Sequence, residues 1–165
     1  MGHGLYQRQG PSFVQTQADL HDLTAEQKTR LRIGIWDRGP ATEWIFHAGL
    51  MEQATPYQSM SGAATETPGK IIERELVQDK INLTFVWGPI AGYYAEKIKS
   101  HDLVVIPMEN EKGLRFNFQI ALAVRFGEDE WKQQVDSLIT NHQEEIDQIL
   151  KHYGVPLRKL VKQVR

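Results

Sequence analysis

Ile81-Asn82-Leu83-Thr84-Phe85-Val86-Trp87-Gly88-Pro89-Ile90-Ala91-Gly92-Tyr93-Tyr94 is the stretch on which the reading of this chain turns. From Ile81 to Trp87 it is almost wholly apolar and rich in β-branched and aromatic residues. That composition predicts a strand buried on both faces, as in a parallel sheet covered by helices. Gly88-Pro89 ends the strand and opens a helix, since proline at the first helical position gives up an N–H that has no partner there anyway. A strand that runs straight into a helix leaves backbone N–H groups aimed past the sheet's edge.

Leu31-Arg32-Ile33-Gly34-Ile35-Trp36 repeats the device: a short apolar strand, a turn at Asp37-Arg38-Gly39-Pro40, and a helix from Ala41-Thr42-Glu43-Trp44-Ile45. If the two strands are parallel, both Gly-Pro junctions open on the carboxyl edge, where open α/β sheets bind ligands. The rest of the chain fits this scheme. Residues 1–18 are weakly patterned, with Leu5-Tyr6 and Phe13-Val14 as short extended candidates. Thr24 with Gln27 spells a capping box. Helix 40–48 stops at Gly49, and Ala54 to Met60 reads as a weak strand held to an edge by Pro56. A helix opens at Thr67-Pro68, helix 89–99 follows the central strand, and Leu103 to Met108 is the next strand.

Phe116 to Phe126 reads as the longest strand, through the alternation of Phe116, Phe118, Ile120, Leu122 and Val124, and as the one returning against the others. The last element is helical. Trp131, Val135, Leu138, Ile139, His142, Ile146, Ile149, Leu150 and Tyr153 draw one apolar stripe, preceded by Glu128-Asp129-Glu130 at the positive helix end. A single helix there would run ~38 Å, so a break is expected near Thr140-Asn141. The strand–helix alternation predicts a three-layer α/β lobe with a mostly parallel mixed sheet. Three segments are expected: residues 1–30 as an N-terminal piece, 31–157 as the lobe, and 158–165 as a basic tail.

Composition narrows the function. The 165 residues are 41% hydrophobic and 24% charged, as in soluble globular domains, and the net charge of −2 argues against nucleic acid as a partner. No cysteine is present, which removes disulfides, thiolate catalysis and cysteine metal sites. No apolar run approaches ~20 residues, and the first residues carry no secretory signal pattern. The six histidines are scattered without an HxH or HExxH pair, and no GxSxG, P-loop or GxGxxG is found. The expectation is no catalytic residue, no metal and no cofactor.

The candidate ligand-binding set is Asp37, Arg38, Gly39, Ala41, Thr42, Trp87, Gly88 and Tyr93. Asp37 and Arg38 occupy a strand-to-helix turn, where a ligand contact and a simple cap with a solvated cation are both open readings. Trp87 and Tyr93, with Tyr94 and Trp44, either line a hollow for a flat ligand or pack helix onto sheet, and Trp44 leans to the core. The basic residues Arg158, Lys159, Lys162 and Arg165 either dock an acidic partner or form a solvated terminus.

Three segments carry a family resemblance: Leu31-Arg-Ile-Gly-Ile35; Phe85-Val-Trp-Gly-Pro-Ile-Ala-Gly-Tyr-Tyr94; and Ala123-Val-Arg-Phe-Gly-Glu-Asp-Glu-Trp131 with Glu145-Ile-Asp-Gln-Ile-Leu-Lys-His-Tyr-Gly-Val-Pro-Leu157. They resemble the second lobe of type II periplasmic solute-binding proteins. The Val-Trp-Gly-Pro-Ile-Ala-Gly-Tyr wording is similar to the accessory proteins that accompany PQQ-dependent methanol and alcohol dehydrogenases. The resemblance implies a non-catalytic, periplasmic, solute-binding-like protein, with a small anionic or flat ligand and a quinoprotein dehydrogenase as partners. It implies also that a first lobe is missing or incomplete, with residues 1–30 near the crossing between lobes. Amino-acid-binding relatives place an acidic residue near the position of Trp87, so an amino-acid ligand is not expected. Besides a protein-interaction module for the dehydrogenase with no small ligand, or a non-functional truncated gene product, the effector domain of a transcription regulator and a flavodoxin-like nucleotide binder are rival readings. The regulator domain would bring a helix-turn-helix, the nucleotide binder a phosphate loop richer in Ser, Thr and Gly.

Overall fold

The computed structural model describes residues 3–8, 13–36, 39–58, 67–111 and 113–157. Five strands form one mixed sheet in the order β3-β2-β4-β1-β5: β1 is His3–Arg8, β2 Ile33–Trp36, β3 Ala54–Tyr57, β4 Leu83–Trp87 and β5 Leu103–Pro107. β2 is parallel to β3 and to β4, while β1 lies antiparallel to both β4 and β5. The sheet therefore recruits chain from before residue 31, and β1 supplies the antiparallel strand of the mix. The stretch expected to do so, residues 116–126, adds no strand to the sheet. Its alternation is real in sequence, but only Phe116 enters the core, and Ile120, Leu122 and Phe126 face solvent.

The pairing of β2 with β4 is set by a side chain. Asn82, 8% exposed, accepts from Arg32 N through Oδ1 at 2.9 Å and donates through Nδ2 to Arg30 O at 2.8 Å, while its own N–H reaches Arg32 O at 2.8 Å. A buried amide with both ends satisfied holds one register and rejects a slip, which would orphan both ends. Two residues on, Thr84 Oγ1 donates to Gly34 O at 2.9 Å inside the sheet. The strands begin together and run parallel, so they end on the same edge.

Side chains then divide between two faces. Ile33, Ile35, Leu83 and Phe85 join Trp44 and Ile45 of α2 (Pro40–His47), with Leu20, Leu50, Met108, Leu114 and Phe116, in the larger core. Val86 joins the smaller core on the other face, with Ile71 of α3 (Pro68–Ile71), Ile72 and Leu76 of the wide helical turn that continues it, and Ala91 of α4 (Gly88–Lys97). β4 is buried on both faces up to Trp87, as its composition requires. The Thr24–Gln27 capping box opens α1 (Ala25–Thr29), and Gly49, at φ 67°, follows the end of α2.

α5 (Asp129–Asn141) and α6 (Gln143–His152) break at His142, close to the expected point. The stripe they share is amphipathic in sequence, yet among the described residues it is at most half-covered: neither helix buries a residue, and Val135, Ile139, Ile146 and Leu150 are half-buried. Among the described residues, the end that follows α6 is tied down. Gly92 of α4 meets Gly154 backbone to backbone with no room for a Cβ, Gly154 takes φ 67°, Val155 is buried and Tyr153 stacks on Tyr93 at 6.2 Å.

A carboxylate ties the strand-to-arm connection to the larger core. Glu111 accepts from Trp44 Nε1 and Gln17 Nε2 and pairs with His21 Nε2 at 3.0 Å. Burial opposes its charge, but the bonds from His21, Trp44 and Gln17 outweigh that and hold the carboxyl below the ordinary glutamate value. A carboxyl made more acidic by folding contributes stability that is complete above the unfolded glutamate range and lost as pH falls through the lower folded value. Glu111→Gln is expected to cost about 1.5–3 kcal/mol near neutral pH. Urea unfolding across pH should show that gap closing below pH ~4.3; a gap constant to pH ~3 would contradict the assignment.

Candidate functional site

The two strand-to-helix junctions meet where β2 and β4 end. β2 stops at Trp36 and α2 begins at Pro40, with extended Gly39 as its cap residue. β4 stops at Trp87, itself the cap residue of α4, and Pro89 lies in that helix's first turn. Thr42 Oγ1 donates to Trp36 O at 2.9 Å and Thr42 N–H to Gly39 O at 3.0 Å, which folds the first junction back over the strand end. Between the junctions lies a cavity of about 170 Å³. Its walls are Trp36, Gly39, Pro40 and Ala41 from the first junction, Phe85, Val86, Trp87 and Ile90 from the second, and Pro68 from the start of α3.

The wall is apolar, and no charged side chain belongs to it among the described residues. Its polar resources are the N-termini of α2 and α4. Among the described residues Trp36 Nε1 is buried without an acceptor, which costs free energy. The Trp36 ring is braced by Tyr57 at 6.5 Å. Trp87 is 41% exposed although it closes a fully buried strand, so its ring lies at the rim.

Of the candidate residues, Gly39, Ala41 and Trp87 stand together on the wall. Thr42 shapes the first junction from behind, its hydroxyl committed to Trp36 O. Gly88 is buried in the turn between Trp87 and Pro89 without facing the cavity. Tyr93 points elsewhere, stacked on Tyr153 and lying under the Lys97 ammonium. Asp37 and Arg38 lie outside the described residues. Trp44 is core, 1% exposed. Trp36, Pro40, Phe85, Val86, Ile90 and Pro68 escaped the sequence reading. The signal for Trp36 was available, since it ends β2 just as Trp87 ends its parallel neighbour. Pro68 had none, because only tertiary packing brings α3 to this edge.

Among the described residues no helix is long and apolar enough to cross a membrane, and no three His, Asp or Glu side chains gather as a metal site.

No family model and no curated protein sequence matches the chain. Solved structures do. Periplasmic binding protein XoxJ from Methylobacterium extorquens AM1 aligns over 96% of this chain and 69% of its own, at 22% identity and TM-score 0.76. MxaJ from Methlophaga aminisulfidivorans MPT aligns over 95% of this chain and 67% of its own, at 16% identity and TM-score 0.69. The second substrate-binding domain of Lactococcus lactis GlnP, in an open conformation, aligns over 95% and 60%, at 12% identity and TM-score 0.56. At these identities the likeness is one of fold: this is a periplasmic-binding-protein-like α/β lobe, spanning about two thirds of the first two of these structures. The type II solute-binding resemblance carried by residues 31–35, 85–94 and 123–157 is met at that level.

The different burial of two of the cavity's aromatics, Phe85 and Trp87, gives a test. Phe85, 1% exposed, is expected to cost ~3–5 kcal/mol as Phe85→Ala. Trp87→Ala should stay within about 1 kcal/mol of wild type in the same denaturant titration. Equal losses would mean that Trp87 is a packing residue and not a free wall.

Proposed function

We propose that the chain is a non-catalytic, solute-binding-like lobe whose carboxyl-edge hollow takes the end of a flat, largely apolar molecule carrying a hydrogen-bond acceptor or anionic group. It serves in the periplasm as an accessory to a quinoprotein dehydrogenase. One observation carries the ligand class. The hollow between the two Gly-Pro junctions is walled by Trp36, Phe85, Val86, Trp87, Ile90 and prolines, with two helix N-termini as its polar features. Donors without a facing carboxylate suit an acceptor or an anion and offer nothing to an ammonium group. Support for the partner class comes from the wording of residues 86–93 and from the likeness to XoxJ and MxaJ.

Magnitude argues for weak binding. Small-molecule pockets usually hold ~300–1,000 Å³ and enclose most of the ligand. About 170 Å³ covers one ring and leaves the rest in water. A helix-terminus charge contact exposed to solvent contributes only ~0.3–1 kcal/mol. The isolated chain is therefore expected to bind PQQ, a flat polycarboxylated quinone, with a dissociation constant above about 10 μM, and free amino acids not at all.

Isothermal titration with PQQ, arginine and glutamine, on wild type and on Trp87→Ala, decides the matter. The expected result is weak PQQ binding lost in the variant. Sub-micromolar binding of an amino acid would overturn the ligand class. Absence of PQQ binding at millimolar protein, with retained capture of a quinoprotein dehydrogenase, would replace the small ligand by a purely protein-binding role. The rim exposure of Trp87 favours that second reading.

A further inference from the structure

We infer that Gly69 and Tyr94, neither of them on the wall of the carboxyl-edge hollow, set how large a molecule the hollow admits. The inference rests on the ligand reading above and gives it a size limit. Ile90 and Tyr94 stand four residues apart on α4 and so share one face of that helix. Ile90 lines the hollow, as does Pro68, the first residue of α3. One turn beyond Ile90, the Tyr94 ring fills the space that a Cβ on Gly69 would need. Gly69 follows Pro68 directly and is buried. The seam between α3 and α4 is therefore a tyrosine ring packed on a bare glycine, next to the wall that both helices supply.

The ring is held in that place. Tyr93 meets it edge-on at 5.2 Å, and the Lys97 ammonium lies 5.1 Å from its centre. Lys97 in turn donates to Glu73 Oε1 at 2.8 Å, and Glu73 belongs to the wide turn that continues α3. The two elements are thus tied on the far side of the ring as well. A close-packed seam answers an added atom by shifting elements, because it has no slack to absorb one. A methyl group at position 69 pushes the first turn of α3 off α4, and Pro68 moves with it. Shrinking residue 94 instead takes away what the first turn of α3 rests on, so that Pro68 can yield. Either change enlarges a hollow of about 170 Å³ that covers one ring. Gly69 and Tyr94 are positioning residues: they act on the ligand through Pro68.

Acetophenone and acetonaphthone, ketones that share an acceptor and differ by one fused ring, test the limit. Each is titrated to its solubility limit into the full chain labelled with fluorotryptophan. Fluorine NMR follows Trp36 and Trp87, which line the hollow, against Trp44 and Trp131, which do not. In wild type the second ring should bring no gain in affinity. In Gly69→Ala it should tighten binding ~10-fold or more, the return for apolar surface that finds cover. Tyr94→Ala should show the same gain, and it keeps the test available should Gly69→Ala not fold. Tyr94→Phe, which retains the ring, should behave as wild type. A preference between the ketones that no variant changes, whatever the loss of stability in urea, would overturn the inference and leave the ligand reading standing. Resonances of Trp36 and Trp87 that neither ketone moves in any of these proteins would overturn both.

Discussion

Everything at the carboxyl edge depends on how β2 and β4 are held side by side. The Asn82 amide clips Arg30 and Arg32 at the start of the pair, and Thr84 Oγ1 seals it one pleat further on. Parallel strands have no hairpin to set their register, so some other device must. Here that device is a buried side chain whose polar groups find partners in one alignment. With the starts matched, the ends fall together, and Trp36 and Trp87 are delivered to the same rim. The hollow is thus a consequence of a bond made about four residues away from it.

The two halves of the molecule obey different physics. From Leu20 to Phe116 the chain is organised by burial: each sheet face has its own core, and buried polar side chains such as Asn82 and Thr84 are bonded. Glu111 shows the rule at its most demanding, since a carboxylate is kept charged beside the core only because an indole, an amide and an imidazole converge on it. Beyond Phe116 burial ceases until Val155. The helices α5 and α6 stand on intrahelical pairs such as Lys132–Asp136 and the contact of Gly92 with Gly154. Helices held mainly by such local terms are marginal in water.

Local patterns were legible to the extent that they were local. The Thr24–Gln27 box, the break near Thr140, the proline-opened helices and the edge strand at Pro56 all follow from chemistry within a few residues. The double burial of β4 was legible as well, because a strand with no polar alternation has nowhere to face water. At the site, Gly39, Ala41 and Trp87 could be placed from the junction geometry alone. Tyr93 could not. Its distance along α4 was known, but not that Tyr153 waits on that side of the helix.

The alternating run from Phe116 shows where such reading stops. Period-two hydrophobicity states which side chains would share a face if the run were paired, and it is silent on whether a neighbour exists. The sheet filled that place with β1, from the far end of the chain, antiparallel between β4 and β5. By itself the sequence determined the α/β class, the alternation of elements and the rim that carries the hollow, since strand burial, helix capping and proline geometry are short-range effects. Tertiary structure alone decided which strand completes the sheet, which aromatics line the hollow and which stripe stays wet. Those outcomes depend on contacts between residues ~30–100 positions apart, whose formation reflects the competition of the whole chain for a limited core.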